Sequence, residues 1–371
     1  MKNGPLPGSG RDPMQTNMSR RERRHLARAS RPKSKLRDVL SIVFALALVS
    51  FTGFAAFYKF PNVIYLPGNA DSLGERLKVT GTKEYVPEGR VLMATVSQVL
   101  EPRFVDMVDA WLRKEADIEK REEVLGDVSV AESRKISQDM MDNSKQVAMI
   151  IAARKLGLET SGGAVEVLEL AKEAPAAKVL RVGDEIASVN GEPLCLVGDL
   201  REKLAGRKAG DRLDLLIRRG GTGPDVAVQV DLMQSPDGRA IIGMFAGPSS
   251  NTPCTTEFEA DFRTGNIGGP SAGLSMTLTL LDRLSAGELT GGKTVATTGT
   301  IEADETVGPI GGLKQKTYAV KKAGAKLFIV PLEEVGQATP YAGDMKVVGV
   351  RNLDEALAAL KAFGGDPLPT K

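Results

Sequence analysis

The chain has 371 residues, 42% of them hydrophobic and 26% charged, the balance of a folded protein with room for two or three domains. Its single histidine, His25, lies in a basic leader, which excludes a Ser-His-Asp triad, a Cys-His pair or a histidine-ligated metal centre in the folded part. Residues 1–37 carry a net charge of +9 and the remainder −7 of the overall +2, so the bulk of the chain is a poor nucleic-acid binder.

Residues 1–37, rich in Gly, Pro, Ser and Arg, read as a disordered cytoplasmic tail. Residues 38–59 read as a transmembrane signal anchor, because Val39 to Phe57 is an uncharged apolar run of bilayer-spanning length. Lysine and arginine crowd its N-terminal side, which places everything after Tyr58 outside the cytoplasm. A cleaved signal peptide, cut near Gly53-Phe54-Ala55, is the rival; the long leader and long apolar stretch favour an uncleaved anchor.

Residues 60–155 predict strands at Asn62–Leu66, Arg76–Thr80 and Arg90–Val96, with turns at Pro67-Gly68-Asn69 and Pro87-Glu88-Gly89. A helix follows Glu101-Pro102, and a second runs from about Ala131 to Gly157; their methionine and aromatic stripes read as packing surfaces. Residues 156–235 form a separate unit with a strand after Ser161-Gly162-Gly163, a helix near Val197–Leu204 and a strand at Leu213–Arg218. Residues 236–365 alternate strands and helices, starting with a strand at Ala240–Phe245, and residues 366–371 form a tail. The two cysteines, Cys195 and Cys254, fall in different units and read as separate buried thiols without a catalytic role.

The chemistry centres on Gly265-Asn266-Ile267-Gly268-Gly269-Pro270-Ser271-Ala272-Gly273, a tight turn leading into a helix. Ser271 would sit at or just inside the helix N-terminus, where unpaired N–H groups gather. Without histidine, a nucleophilic serine needs another base, and a lysine neutralised by burial can serve. Lys314, just after Gly311-Gly312-Leu313, is the candidate; Lys316, Lys321 and Lys322 on the same helix read as solvated. The segment Gly287 to Thr294 fits the P-loop pattern, but a helix precedes it and a strand follows, the reverse of a working P-loop.

The order Gly163–Leu168, Val182-Gly183-Asp184-Glu185-Ile186 and Val189-Asn190-Gly191 resembles a PDZ domain of bacterial periplasmic and membrane proteases. That resemblance implies a peptide groove between the strand after Gly163 and the helix at Val197–Leu204; a domain that only spaces or occludes the catalytic part is the alternative. Pro270-Ser271-Ala272-Gly273, Thr298-Gly299 and Gly311-Gly312-Leu313-Lys314 resemble, in order and spacing, the proteolytic domain of Lon-type proteases. The resemblance implies Ser271 as nucleophile, Lys314 as general base and Thr298 as a hydrogen-bonding neighbour of the lysine, with backbone amides around Gly269–Ser271 assigned to the oxyanion by hypothesis. ATP-dependent Lon enzymes usually have Asp where this chain has Gly268.

The layout is similar to that of membrane-anchored, PDZ-containing Lon-like proteases of bacteria. The expected fold is α+β: a Lon-type proteolytic domain with an inserted or preceding PDZ domain, after one transmembrane helix. The expected function is ATP-independent serine endopeptidase activity on flexible or unfolded protein segments outside the cytoplasmic membrane. No cofactor, metal or nucleic acid is expected; the partners are a protein or peptide substrate and the membrane, and the oligomeric state, a homo-oligomer included, stays open. The alternative is a membrane-tethered PDZ scaffold carrying an inactive protease-like domain.

Overall fold

The computed structural model describes residues 35–249 and 251–369; His25 and most of the basic tail lie outside them. The first elements are α1 (Lys35–Phe57), β1 (Asn62–Ser72), β2 (Leu77–Thr80), β3 (Arg90–Val99), α2 (Phe104–Leu112), β4 (Asp117–Lys120), α3 (Arg121–Leu125) and α4 (Val130–Leu156). Then come β5 (Thr160–Gly162), β6 (Val165–Leu170), β7 (Glu185–Val189), β8 (Glu192–Pro193), α5 (Val197–Leu204), β9 (Arg212–Arg218), β10 (Asp225–Asp231), β11 (Met233–Gln234), β12 (Ala240–Ile241) and β13 (Met244–Pro248). The last part holds β14 (Cys254–Thr256), β15 (Glu259–Phe262), α6 (Gly273–Leu284), β16 (Thr294–Thr297), β17 (Thr300–Ile301), β18 (Val307–Gly308), α7 (Leu313–Lys322), β19 (Leu327–Pro331), α8 (Val335–Ala342), β20 (Lys346–Val350) and α9 (Leu353–Ala362).

Helix α1, with residues 103–105, forms one compact unit, and the rest of the chain from Phe60 forms the other. The Arg37–Phe57 part of α1 has a mean hydropathy of 2.3 and, by length and composition, can cross a membrane.

One six-stranded sheet, ordered β20-β19-β16-β3-β1-β4, joins strands from both ends of the second unit. β20, β19, β16 and β3 run parallel, whereas β1 pairs antiparallel with β3 and β4. The central strands are apolar on both faces, as a covered parallel sheet requires. Met93, Val295, Leu327 and Ile329 pack with Leu274, Leu278 and Leu281 of α6 and Ile150 and Ile151 of α4. The intervening Leu92, Ala296, Phe328 and Val330 pack instead with Leu313 and Val320 of α7 and Ala338 of α8. The result is a three-layer arrangement whose two helical faces carry different halves of the site.

Strand β1 runs through the expected Pro67-Gly68-Asn69 turn, because these residues form a bulge: the β1–β3 register shifts between Pro67 and Ala70. The Thr95 hydroxyl bonds both the N–H and the carbonyl of Asn69 across it, each at 2.9 Å.

A second sheet, ordered β10-β9-β7-β6-β13, surrounds Val165, Val167, Ile186, Leu213, Leu215 and Ile217, with Leu200 of α5 closing its core. The strand expected at Ala240–Phe245 to open the C-terminal part is instead split at Gly243, and its second half, β13, pairs with β6. This sheet therefore extends to Pro248, past the boundary expected at 235. In chain order it lies between the two parts of the six-stranded sheet.

Cys195 and Cys254 are not separate thiols; they form a disulfide. β14 pairs with β5, and a Cβ added to Gly163 would lie 3.0 Å from Cys195 Cα and 3.1 Å from Cys254 Cβ. Close backbone approach at Gly163 thus brings together residues 59 apart in the chain. The bond ties the segment before α5 to the strand leading toward Ser271. Loop-closure entropy assigns such a crosslink about 2–4 kcal/mol. Cys254→Ser is therefore expected to lower the unreduced protein's Tm by several degrees in thermal unfolding, and an unchanged Tm would show that the bond contributes no stability.

Candidate active site

Ser271 immediately precedes Ala272, the N-cap of α6, so it stands one step outside the helix, at the positive end of its dipole. Its carbonyl accepts the Gly299 N–H at 3.0 Å, and the Gly299 carbonyl accepts the Leu274 N–H at 3.1 Å. These bonds stitch the start of α6 to the chain leaving β16. Helix α4 holds the loop from the other side: the Ser144 hydroxyl donates to the Pro270 carbonyl at 3.2 Å, and the Ser137 carbonyl accepts the Gly269 N–H at 2.7 Å. Gly269, expected to supply an oxyanion donor, thus has its amide engaged by α4.

The lysine that meets Ser271 is Lys316, not Lys314. Lys316 Nζ lies 2.8 Å from Ser271 Oγ and 3.3 Å from Thr298 Oγ1. Thr298 in turn donates to the Ser271 carbonyl at 3.2 Å, so the expected threonine does stand beside the serine and its lysine. Lys316 is only 3% exposed, and burial pushes its amine down to about 7, against the opposing negative charge of Glu334.

Helical geometry explains the exchange. Successive residues turn by about 100°, so positions 314 and 316 point to opposite sides of α7. Leu313, Lys316, Thr317 and Val320, spaced i, i+3, i+4 and i+7, form the buried face against the sheet. Lys314 points away, donating to Asp117 Oδ1 at 2.7 Å and the Ala116 carbonyl at 3.2 Å. Gln315 donates to Asp117 Oδ2 at 2.7 Å, so the start of α7 is clamped to the segment entering β4. Lys314 is a structural ion-pair partner here, and Lys316 is not solvated as expected. The apolar spacing Leu313, Thr317, Val320 was the sequence signal that could have identified it.

These groups open on a cleft of about 1340 Å³, lined by Tyr65, Thr95 and Gln98 of the sheet, Arg134 and Gln138 of α4, and the Asn266–Ser271 loop. Gly268 lies against α4, where a Cβ would come within 2.8 Å of Ser137 Cβ and 3.0 Å of its carbonyl oxygen. An aspartate at this position would not fit the present loop.

The P-loop-like segment has structural duties. Lys293 bonds the Phe363 carbonyl, and the Glu288 carboxylate accepts the N–H groups of Glu88 and Gly89 at 2.7 and 3.2 Å. Among the described residues no cluster of His, Cys, Asp or Glu is arranged to hold a metal ion.

The strand after Gly163, beside which a peptide groove is expected, has no free edge for an added strand. That strand, β6, has β7 on one edge and β13 on the other, so β13 terminates the sheet.

Two variants test the site. Gly268→Ala is expected to shift the Ser271 loop and lower turnover by roughly tenfold to a hundredfold, read as kcat on any accepted substrate. Lys316→Met should raise Tm below pH 7. The depressed amine pKa means the unfolded chain binds the extra proton, so wild-type stability falls as pH drops toward 7. Replacing the amine removes that penalty, on the order of 2–4 kcal/mol.

Residues 264–361 match the Lon protease (S16) C-terminal proteolytic domain, and residues 138–230 match a PDZ domain. Among curated relatives, the chain is 39% identical over 108 residues to the Lon protease of Trichlorobacter lovleyi, covering 27% of this chain and 12% of that one. It is 31% identical over 131 residues to a probable periplasmic serine endoprotease, DegP-like, of Pseudomonas putida strain GB-1, covering 33% and 27%. A solved PDZ domain of the SdrC-like protein from Listeria monocytogenes is 23% identical, with TM-score 0.21, covering 22% of this chain and 85% of that one. The chain spans between 12% and 27% of the length of these two curated relatives. The protein is thus of mixed α+β architecture, with a PDZ domain preceding a Lon-like proteolytic domain, and it is homologous in those parts to Lon and DegP-like serine proteases.

Proposed function

We propose that the protein is an ATP-independent serine endopeptidase in which Ser271 is the nucleophile and Lys316 the general base. The observation that carries this is the 2.8 Å contact between the Ser271 hydroxyl and an amine only 3% exposed, which burial pushes down to about 7. In the neutral form, Lys316 accepts the Ser271 proton as the hydroxyl attacks a peptide carbonyl, and an acyl-enzyme forms. Lys316 then returns the proton to the leaving amine and next activates water for deacylation. Thr298 orients the amine, and the Ser271 N–H, at the mouth of α6, stabilises the oxyanion.

The enzyme acts on flexible or unfolded segments that enter the cleft as extended chain. ATP independence is supported by the engagement of Lys293 and Glu288 in packing the loop before β16. A peptide strand adds to the β13 edge beside α5, in the manner of strand addition by PDZ domains. α1 anchors the protein in the cytoplasmic membrane as a single span. The excess of Lys and Arg before it supports a cytoplasmic N-terminus and an extracytoplasmic catalytic part, a compartment in which the Cys195–Cys254 bond persists.

The test is a fluorophosphonate probe applied to the full-length protein, with the adduct mapped by mass spectrometry. Ser271→Ala and Lys316→Met are expected to abolish labelling, whereas Lys314→Met still labels, its rate falling by no more than about tenfold through the broken Asp117 clamp. Loss of labelling in Lys314→Met alone would contradict the assignment. A folded wild-type protein that never labels would favour a membrane-tethered peptide-binding scaffold.

A further inference from the structure

Glu334 takes no part in the proton transfers above, yet it is a carboxylate only 7% exposed, between β19 and α8. Both its oxygens lie 3.2 Å from the Ile310 N–H. Ile310 is two residues before Gly312, the left-handed N-cap of α7 with φ 67°, whose carbonyl accepts the Lys316 N–H at 3.0 Å. Gly312 itself leaves no room for a side chain, since a Cβ there would lie 2.6 Å from Val96 Cγ2. The loop that launches the lysine helix is therefore pressed on β3 and tethered from behind by Glu334.

Glu334 is also the charge that acts on Lys316 through space. Of the other charges on these elements, Lys322 is exposed to solvent. Lys314 pairs with Asp117 on the far side of α7, Lys321 reaches the Tyr341 carbonyl, and Glu333 acts on Glu334. Burial and the neighbouring Glu333 push the Glu334 carboxyl up, while the Ile310 N–H and Lys316 pull it down.

We propose that Glu334 is a positioning residue for Lys316: its carboxylate fixes the Pro309–Gly312 loop that launches α7, and its negative charge acts on the buried amine. The two roles separate by substitution. Glu334→Gln keeps an acceptor for Ile310 and removes the charge, Glu334→Asp keeps the charge and shortens the tether, and Glu334→Ala removes both. This inference rests on the Ser271–Lys316 dyad proposed above.

The experiment follows the rate of fluorophosphonate adduct formation on full-length protein across pH, for wild type and these variants, with Ser271→Ala and Lys316→Met as controls. In Glu334→Gln the acidic limb is expected to move down by about half to one pH unit, a threefold to tenfold gain in rate below pH 7, with the alkaline plateau kept within about twofold. In Glu334→Asp the limb stays and the plateau falls; in Glu334→Ala the limb moves and the plateau falls. An unmoved limb in Glu334→Gln overturns the proposal. Should that variant fail to fold, Glu334→Asp decides: a limb that stays with a lowered plateau supports the proposal, and an unchanged plateau overturns it. Labelling that survives in both controls overturns the dyad itself, a failure distinct from an unmoved limb with labelling lost in the controls.

Discussion

Everything in this site depends on placing an amine where water cannot reach it. A lysine in water is almost wholly protonated at neutral pH and has no lone pair to offer a serine. Lys316 is held on the inward face of α7, against the sheet and beside Ser271 and Thr298, where burial brings its pKa to about 7. Such a group costs stability in its charged form, and the surrounding core must absorb that cost. The completely buried Leu274, Leu278, Leu281, Phe328 and Val330, packed on the two faces of the sheet, supply the rigid apolar frame that makes it tolerable.

The frame is discontinuous in sequence. β1, β3 and β4 precede the PDZ domain, while β16, β19 and β20 follow it, yet they share one sheet. The earlier half brings the residues that hold the later half in place: Asp117 clamps Lys314 and Gln315, Val96 supports Gly312, and Ser137 and Ser144 of α4 hold the loop before Ser271. Helix α4 also carries Arg154, which pairs bidentately with Asp199 of α5 at 2.8 and 2.9 Å. α5 in turn meets the hairpin between β17 and β18, since a Cβ on Gly198 would fall 2.3 Å from that of Ala303. The PDZ helix is thus joined by packing, an ion pair and a neighbouring disulfide to elements that touch Ser271.

Much of this was legible in the sequence, and the misses have definite causes. The long helix and the C-terminal strands followed from apolar periodicity, and Ser271 followed from a glycine-proline turn before an apolar helix. Lys314 stands next to the glycine pair, but the helical face brings Lys316 to Ser271, because Lys316, not Lys314, shares the stripe with Leu313, Thr317 and Val320. The disulfide was hidden because its cysteines meet only through the β5–β14 pairing, a long-range contact without a local signal. The strand expected at Ala240–Phe245 reads as the start of the next domain, but the open edge of β6 pairs with Met244–Pro248 instead. The engagement of Gly269 by the Ser137 carbonyl likewise depends on α4, more than a hundred residues earlier, and no turn propensity could reveal it.

The most direct test of the account is the titration of Lys316 itself. Full-length protein in detergent micelles, carrying lysine labelled with carbon-13 at Cε, is titrated by NMR, with Lys316→Met used to assign the resonance. The account predicts one lysine signal that titrates near pH 7 and disappears in Lys316→Met. If the Lys316 resonance instead titrates near the ordinary lysine value of about 10.4, the buried amine is not a base at neutral pH and the central claim fails.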